Sequence, residues 1–181
     1  MNSSGNGKLT GTLCDGTSLN IQVPVSHGTW PFYVSLYKNT GGCIGWVTLT
    51  NGTATGTVSW SAPASKGYAA FNTTLSLDGS VYTTGPQLNK TWTLTFSGGG
   101  LVSDVVQTVT LDGLGNRVGV DPMDVDITVS SGLFFADWGF APTVGSRLIP
   151  FQGLFLQAES ACYGFFQNGN LIGGVTVVPA H

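Results

Sequence analysis

Turn dipeptides cut this chain into pieces too short for anything but strands. Asp15-Gly16, Asn51-Gly52, Asp78-Gly79 and Asn168-Gly169 each follow a run of β-type residues. Such pairs accept the left-handed backbone of tight turns. Residues 18–25 alternate polar and apolar with period two, which places the apolar side chains on one face of a strand. Residues 32–37, 44–49, 54–60 and 69–77 are rich in aromatic, Thr and β-branched residues. Further strands are predicted at 91–97, 104–111, 125–130, 132–140, 147–157, 162–167 and 171–178, with Gly98-Gly99-Gly100 as a corner. No stretch keeps a helical period, because glycine and β-branched residues interrupt every candidate. About a dozen short strands at regular spacing point to an all-β fold, an antiparallel β-barrel of roughly 10–14 short strands. A two-sheet β-sandwich is the alternative. With few lysines to protect open strand edges, closure is favoured.

Charge is the scarce resource. Lys and Arg total six, Asp and Glu total nine, and the charged fraction is 8%, against about 25% in ordinary soluble domains. A net charge of −3 cannot neutralise a run of phosphates, which excludes nucleic acid as a partner. No Lys/Arg cluster suits an anionic membrane, and the longest apolar runs fall short of the roughly 20 residues of a spanning helix. The expected partner is a glycan or a small molecule. One barrel domain is expected over 7–181, behind a linker-like lead over 1–6 that carries no export signal. Such a lead suits a piece of a larger exported polypeptide. Residues 7–49 and 132–178 repeat a similar order of segments, including Gly42-Cys43-Ile44-Gly45 and Ala161-Cys162-Tyr163-Gly164. An old duplication into two like halves and the common vocabulary of β-meanders both account for that echo. Cys14, Cys43 and Cys162 make an odd count, read as buried inert thiols or as one Cys14–Cys43 bridge with one thiol over.

Several phrases together resemble a known family. They are residues 11–17, Val23-Pro24-Val25-Ser26, residues 28–37, Gly45-Trp46-Val47-Thr48, residues 56–60, residues 130–134, residues 151–157 and Gly164-Phe165-Phe166. In order and spacing they are similar to a domain of unknown function found in large secreted multidomain proteins of Verrucomicrobia and other environmental bacteria. The resemblance covers 7–178 and implies a secreted, non-catalytic module, with no catalytic residue to carry over. The chain departs from the pattern at 121–126, at 135–138 and at its three cysteines.

Three constellations could carry chemistry. Asp137 and Glu159 are the acids set among apolar residues of the C-terminal half. A glycosidase or esterase could use them as a carboxylate pair, if a fold held them about 5–9.5 Å apart. Asp121, Asp124 and Asp126 are the densest acidic group, and oxygen ligands of that kind suit Ca²⁺; otherwise no cofactor is implied. Among the aromatics Trp30, Tyr33, Tyr37, Trp46, Trp60, Trp92 and Trp138, a ligand-stacking set is expected in Trp30, Tyr33, Tyr37 and Trp138. Exposed rings of this kind stack on pyranose faces. On one strand Tyr33, Ser35 and Tyr37 would share a face opposite Phe32, Val34 and Leu36. His27 next to Ser26 reads as a solvent-facing turn residue, since neighbours on a strand point to opposite faces. The function expected is a structural or glycan-binding module of a secreted bacterial protein. A hydrolase and a barrel carrying a small apolar ligand are the alternatives.

Overall fold

The computed structural model describes residues 5–65, 69–83, 88–119, 124–128, 133–139 and 148–181, with backbone alone for 124–128, 133–139 and 148. The fold is all-β, and among the described strands every pairing is antiparallel. It divides into two compact units, Met1–Ser80 and Val81–His181, where the sequence suggested one domain. Composition does not change at the boundary; the internal echo is the feature of the sequence that suggested two like halves. Each unit has its own apolar cluster.

In the first unit, β1 (Asn6–Thr12) and β2 (Ser18–Pro24) form a hairpin. β3 (Thr29–Leu36), β4 (Gly41–Thr50), β5 (Thr53–Ala62) and β6 (Phe71–Ser80) form a four-stranded meander in chain order. Asn51 and Gly52 make the two-residue turn between β4 and β5, with φ of 49° and 80°. Positive φ at both positions is what a type I′ hairpin turn requires. Phe32, Leu36, Cys43, Val47, Val58 and Trp60 are buried on one face of the meander. Leu9, Leu19 and Ile21 of the hairpin join that cluster.

The second unit is one seven-stranded sheet in the order β8-β7-β13-β12-β11-β10-β9. Its strands are β7 (Lys90–Gly98), β8 (Val105–Leu111), β9 (Asp124–Thr128), β10 (Leu133–Gly139), β11 (Leu148–Leu156), β12 (Ala161–Asn168) and β13 (Leu171–Pro179). The sheet is strongly curled. β7 and β11 lie three steps apart, about 14 Å in a flat sheet at ~4.8 Å per strand. Yet Phe96 on β7 meets Phe151 on β11 edge to face at 5.2 Å, and Trp92 meets Phe155 at 5.8 Å. Rings that close across two intervening strands require those strands to wrap round them. The enclosed space is filled by Trp92, Leu94, Phe96, Leu111, Cys162 and Phe166, all fully buried.

The echo seen in the sequence has a structural counterpart. Trp30–Val47 and Ile149–Phe166 align without a gap, matching Pro31 with Pro150, Phe32 with Phe151, Cys43 with Cys162 and Gly45 with Gly164. Buried positions coincide too, Phe32, Leu36, Cys43 and Val47 against Phe151, Phe155, Cys162 and Phe166. In both units a strand, a four-residue connection and the returning strand use one inside–outside code.

All three cysteines are free thiols. Burial pushes the Cys162 thiol up to about 12 and raises Cys43 and Cys14 as well, with the Asp15 charge adding to both. Thiolate is the reactive form. Ellman's reagent at pH 8 is therefore expected to label Cys14 alone in the folded protein and three thiols in guanidinium. The Phe96 contact gives a second measurement. Phe96→Ala is expected to cost about 3–5 kcal/mol in denaturant unfolding, the usual loss for an aromatic in a filled core.

Candidate functional site

The four-stranded meander buries one face and leaves its other face open. Register sets that outer face in rows. Ser35, Gly42, Ser61 and Asn72 make one row; Tyr33, Ile44, Ser59 and Thr74 the next; Pro31, Trp46, Thr57 and Ser76 the third. Tyr33 and Trp46 are each 63% exposed and Ile44 is 60% exposed. They form a diagonal apolar platform flanked by hydroxyls. Directly opposite side chains lie about 4.5–5.5 Å apart and diagonal ones about 7–8 Å, so the two exposed rings are neighbours on this face.

Beside the platform lies an open depression of about 390 Å³, lined by Tyr33, Ser35, Asn39, Ile44, Ser61 and Asn72 among others. Its floor is low because Gly41 and Gly42 have no room for side chains. A Cβ on Gly42 would come to 2.5 Å from the Val34 carbonyl oxygen, and one on Gly41 to 2.5 Å from that of Ser61. None of the lining residues is charged. Ser35 Oγ donates to Asn39 Oδ1 at 2.7 Å, and Ser61 Oγ to the Gly42 carbonyl at 3.4 Å. Ser59 and Thr74 hydroxyls lie 3.4 Å apart. Such a surface offers neutral donors and acceptors next to flat apolar rings.

Behind the rim, residues Tyr37–Asn39 form a left-handed turn with φ of 53°, 57° and 70°. Thr40 closes it, its N–H and hydroxyl both donating to the Tyr37 carbonyl at 3.2 and 2.6 Å. The Tyr37 hydroxyl donates to Asp15 Oδ2 at 2.5 Å and accepts from Trp60 Nε1 at 3.0 Å. The other Asp15 oxygen caps its own turn by accepting from the Thr17 N–H at 2.9 Å. Three polar groups at the edge of an apolar cluster thus satisfy one another.

The expected stacking set is only partly assembled. Tyr33 is exposed as expected. Tyr37 is not on its face, because the chain leaves β3 at Leu36 and the left-handed turn swings the ring to the inner side. Trp30 sits in register with Val47, packs on the inner cluster and has an indole N–H with no described partner. An offset of three residues on a strand puts Trp30 and Tyr33 on opposite faces; parity alone could have separated them. The same parity, carried through the turn, could have found Trp46. Trp138 stands opposite Ile149 in the backbone register of β10 and β11.

The acids do not converge. Asp137 pairs with Pro150, whereas Glu159 is exposed in the turn after Leu156 and accepts from the Tyr163 hydroxyl at 2.9 Å. Six residues of strand separate those rows, about 20 Å at ~3.3 Å each, well beyond the range of a carboxylate pair. Asp121 lies outside the described residues; Asp124 pairs with Asp137 and Asp126 with Phe135 in the backbone register. Among the described residues no three His, Cys, Asp or Glu are placed to hold a metal ion. His27 is exposed in a turn as expected, but Ser26 Oγ and His27 Nδ1 are 2.9 Å apart, a pairing that strand alternation would have ruled out. They sit in a tight turn, with His27 at φ 50°, so strand alternation does not govern them.

No family model matches the chain, and no curated protein matches it in sequence. Among solved structures it is similar to a transferrin binding protein B from Haemophilus parasuis, at 14% identity over 94% of this chain and 40% of that chain, TM-score 0.35. It is also similar to the intact Ap-TbpB with its N and C lobes, at 17% identity over 94% of this chain and 41% of that one, TM-score 0.32. The chain spans about two fifths of the length of those proteins, and a likeness of that size decides neither function nor partner.

Burial raises the Tyr37 phenol above its ordinary 10.0, and its bond to Asp15 raises it further. The folded state therefore holds this proton more tightly than the unfolded chain. Its contribution to stability is complete below about pH 10 and is lost as pH rises through the folded value. Tyr37→Phe is expected to cost about 1–3 kcal/mol, because Trp60 and Asp15 both lose a partner. Unfolding curves followed from pH 8 to 11 should fall more steeply for the wild-type chain than for that variant.

Proposed function

We propose that the chain is a non-catalytic, saccharide-binding module of a secreted bacterial protein, and that it binds on the outer face of β3–β6. The observation that carries this reading is the pair of exposed rings, Tyr33 and Trp46, on one sheet face beside a depression lined only by uncharged residues. Contiguous exposed apolar surface rimmed by polar groups marks an interaction site. Sugars present flat C–H faces to aromatic rings and hydroxyls to amides and other hydroxyls. The resemblance to modules of large secreted proteins supports an extracellular setting within a longer polypeptide, as does the hydroxyl-rich, sparsely charged composition. An apolar carrier would need an unfilled interior, whereas Trp92, Phe96 and Phe166 fill the curled sheet.

For the second unit we propose a closed barrel. Its two end strands, β8 and β9, are consecutive along the chain. The Phe96–Phe151 contact supports a curl toward the buried face.

Affinity electrophoresis and calorimetry against neutral polysaccharides test the binding reading. Trp46→Ala and Tyr33→Ala are each expected to weaken binding tenfold or more, which corresponds to about 1.4 kcal/mol, with melting temperature unchanged. Equal retention of both variants on every retained polysaccharide would sink it.

A further inference from the structure

The first unit joins β3 to β4 in a way the fold itself does not demand. Three consecutive residues that are not glycine, Tyr37, Lys38 and Asn39, hold φ of 53°, 57° and 70°. A Cβ makes this region unfavourable for each of them. The second unit supplies an internal control. β11 and β12 align with β3 and β4 without a gap and are joined by a connection of the same length. There the chain turns with Glu159 N–H on the Leu156 carbonyl, Ser160 N–H on that of Gln157, and Ser160 alone at positive φ, 52°. An ordinary turn therefore suffices to connect these strands, and the strained one exists for another reason. At the aligned positions the second unit has Leu156 for Tyr37 and Ala158 for Asn39. Brace and amide are missing together.

What the strained turn achieves is a placement. It puts Asn39 among the residues lining the depression, which also include Asn72 and Tyr33. The Ser35 hydroxyl occupies the Asn39 acceptor oxygen, leaving the amide NH₂ as a donor. The Tyr37 ring packs inward and is held there by Asp15 and Trp60. Strained backbone maintained by surrounding hydrogen bonds is a known way to preorganise a ligand site.

We infer that the left-handed turn Tyr37–Asn39 is a preformed ligand-presenting device, in which Asn39 determines specificity and the Asp15–Tyr37–Trp60 hydrogen bonds are its brace. The inference rests on the saccharide reading and narrows it. The ligand is an uncharged sugar with one face on Tyr33 and adjacent hydroxyls accepting from the Asn39 and Asn72 amides. Sialylated or uronic-acid sugars gain no counter-charge from this lining.

Two glycine variants separate the parts. Asn39→Gly removes the amide at a position where glycine adopts the backbone freely. Lys38→Gly keeps the amide and relieves the strain. Both are titrated calorimetrically with cellohexaose, mannohexaose, galactohexaose and a sialylated trisaccharide, alongside thermal melts. The wild-type chain should bind at least one neutral hexasaccharide and not the sialylated one. Asn39→Gly should lose tenfold or more in affinity with no fall in Tm. Lys38→Gly should gain about 2–4 °C in Tm and lose about threefold or more in affinity, because the turn is no longer held. Wild-type affinity in either variant overturns the inference and leaves the saccharide reading standing. Failure of the wild-type chain to bind any neutral hexasaccharide overturns both.

Discussion

Backbone pairing between neighbouring strands is what the rest of this protein depends on. Among the described residues no α-helix offers backbone N–H and C=O groups partners within one segment. They must be satisfied across strands, and each sheet then has two faces that alternate residue by residue. Burial of one face selects the register, and the register decides what is left outside. In the first unit, Phe32, Cys43 and Val47 go in, so Tyr33, Ile44 and Trp46 go out. The candidate site is the complement of the core.

Much of the strand layout was legible because its signals are local. Alternation and turn dipeptides placed most strands within a few residues, and the Asn51-Gly52 hairpin turn formed where its chemistry pointed; Asp78-Gly79, expected as a turn, instead lies within β6, paired with Thr55 and Ala54. At the second hairpin the two-residue loop is Gly169-Asn170, one position beyond the dipeptide that signalled it. Other features depend on geometry that neighbours in sequence do not encode. Tyr37 would continue the Tyr33 face only if the strand continued, and the turn after Leu36 sends it inward. Ser26 and His27 meet because a turn suspends strand alternation. The division into two units followed no change in composition, since both halves are written in the same vocabulary of Thr, Gly and apolar residues. Trp46 and Trp30 were different: parity held the answer for both, and grouping aromatics by proximity in sequence obscured it.

The echo between the two units is useful because it separates what they share from what differs. Pro-Phe at the strand start, a buried cysteine, a glycine two residues on and an apolar residue two beyond that recur in both units. Tyr33, Ser35, Asn39 and Gly42 do not recur; Gln152, Leu154, Ala158 and Ala161 stand at their positions. The shared Phe and Cys positions are buried in the core, and the changed ones named here line the depression. The same scaffold has thus been given two different outer surfaces.

The scarcity of ions has a consequence for the setting in which such a protein can operate. Screening by salt weakens interactions between charges and leaves apolar contact and neutral hydrogen bonds largely untouched. A core of aromatic rings, a brace with one carboxylate and a depression without charged lining present little for dissolved ions to weaken. The protein's ion-poor core and brace are expected to change little in strength between low and high salt.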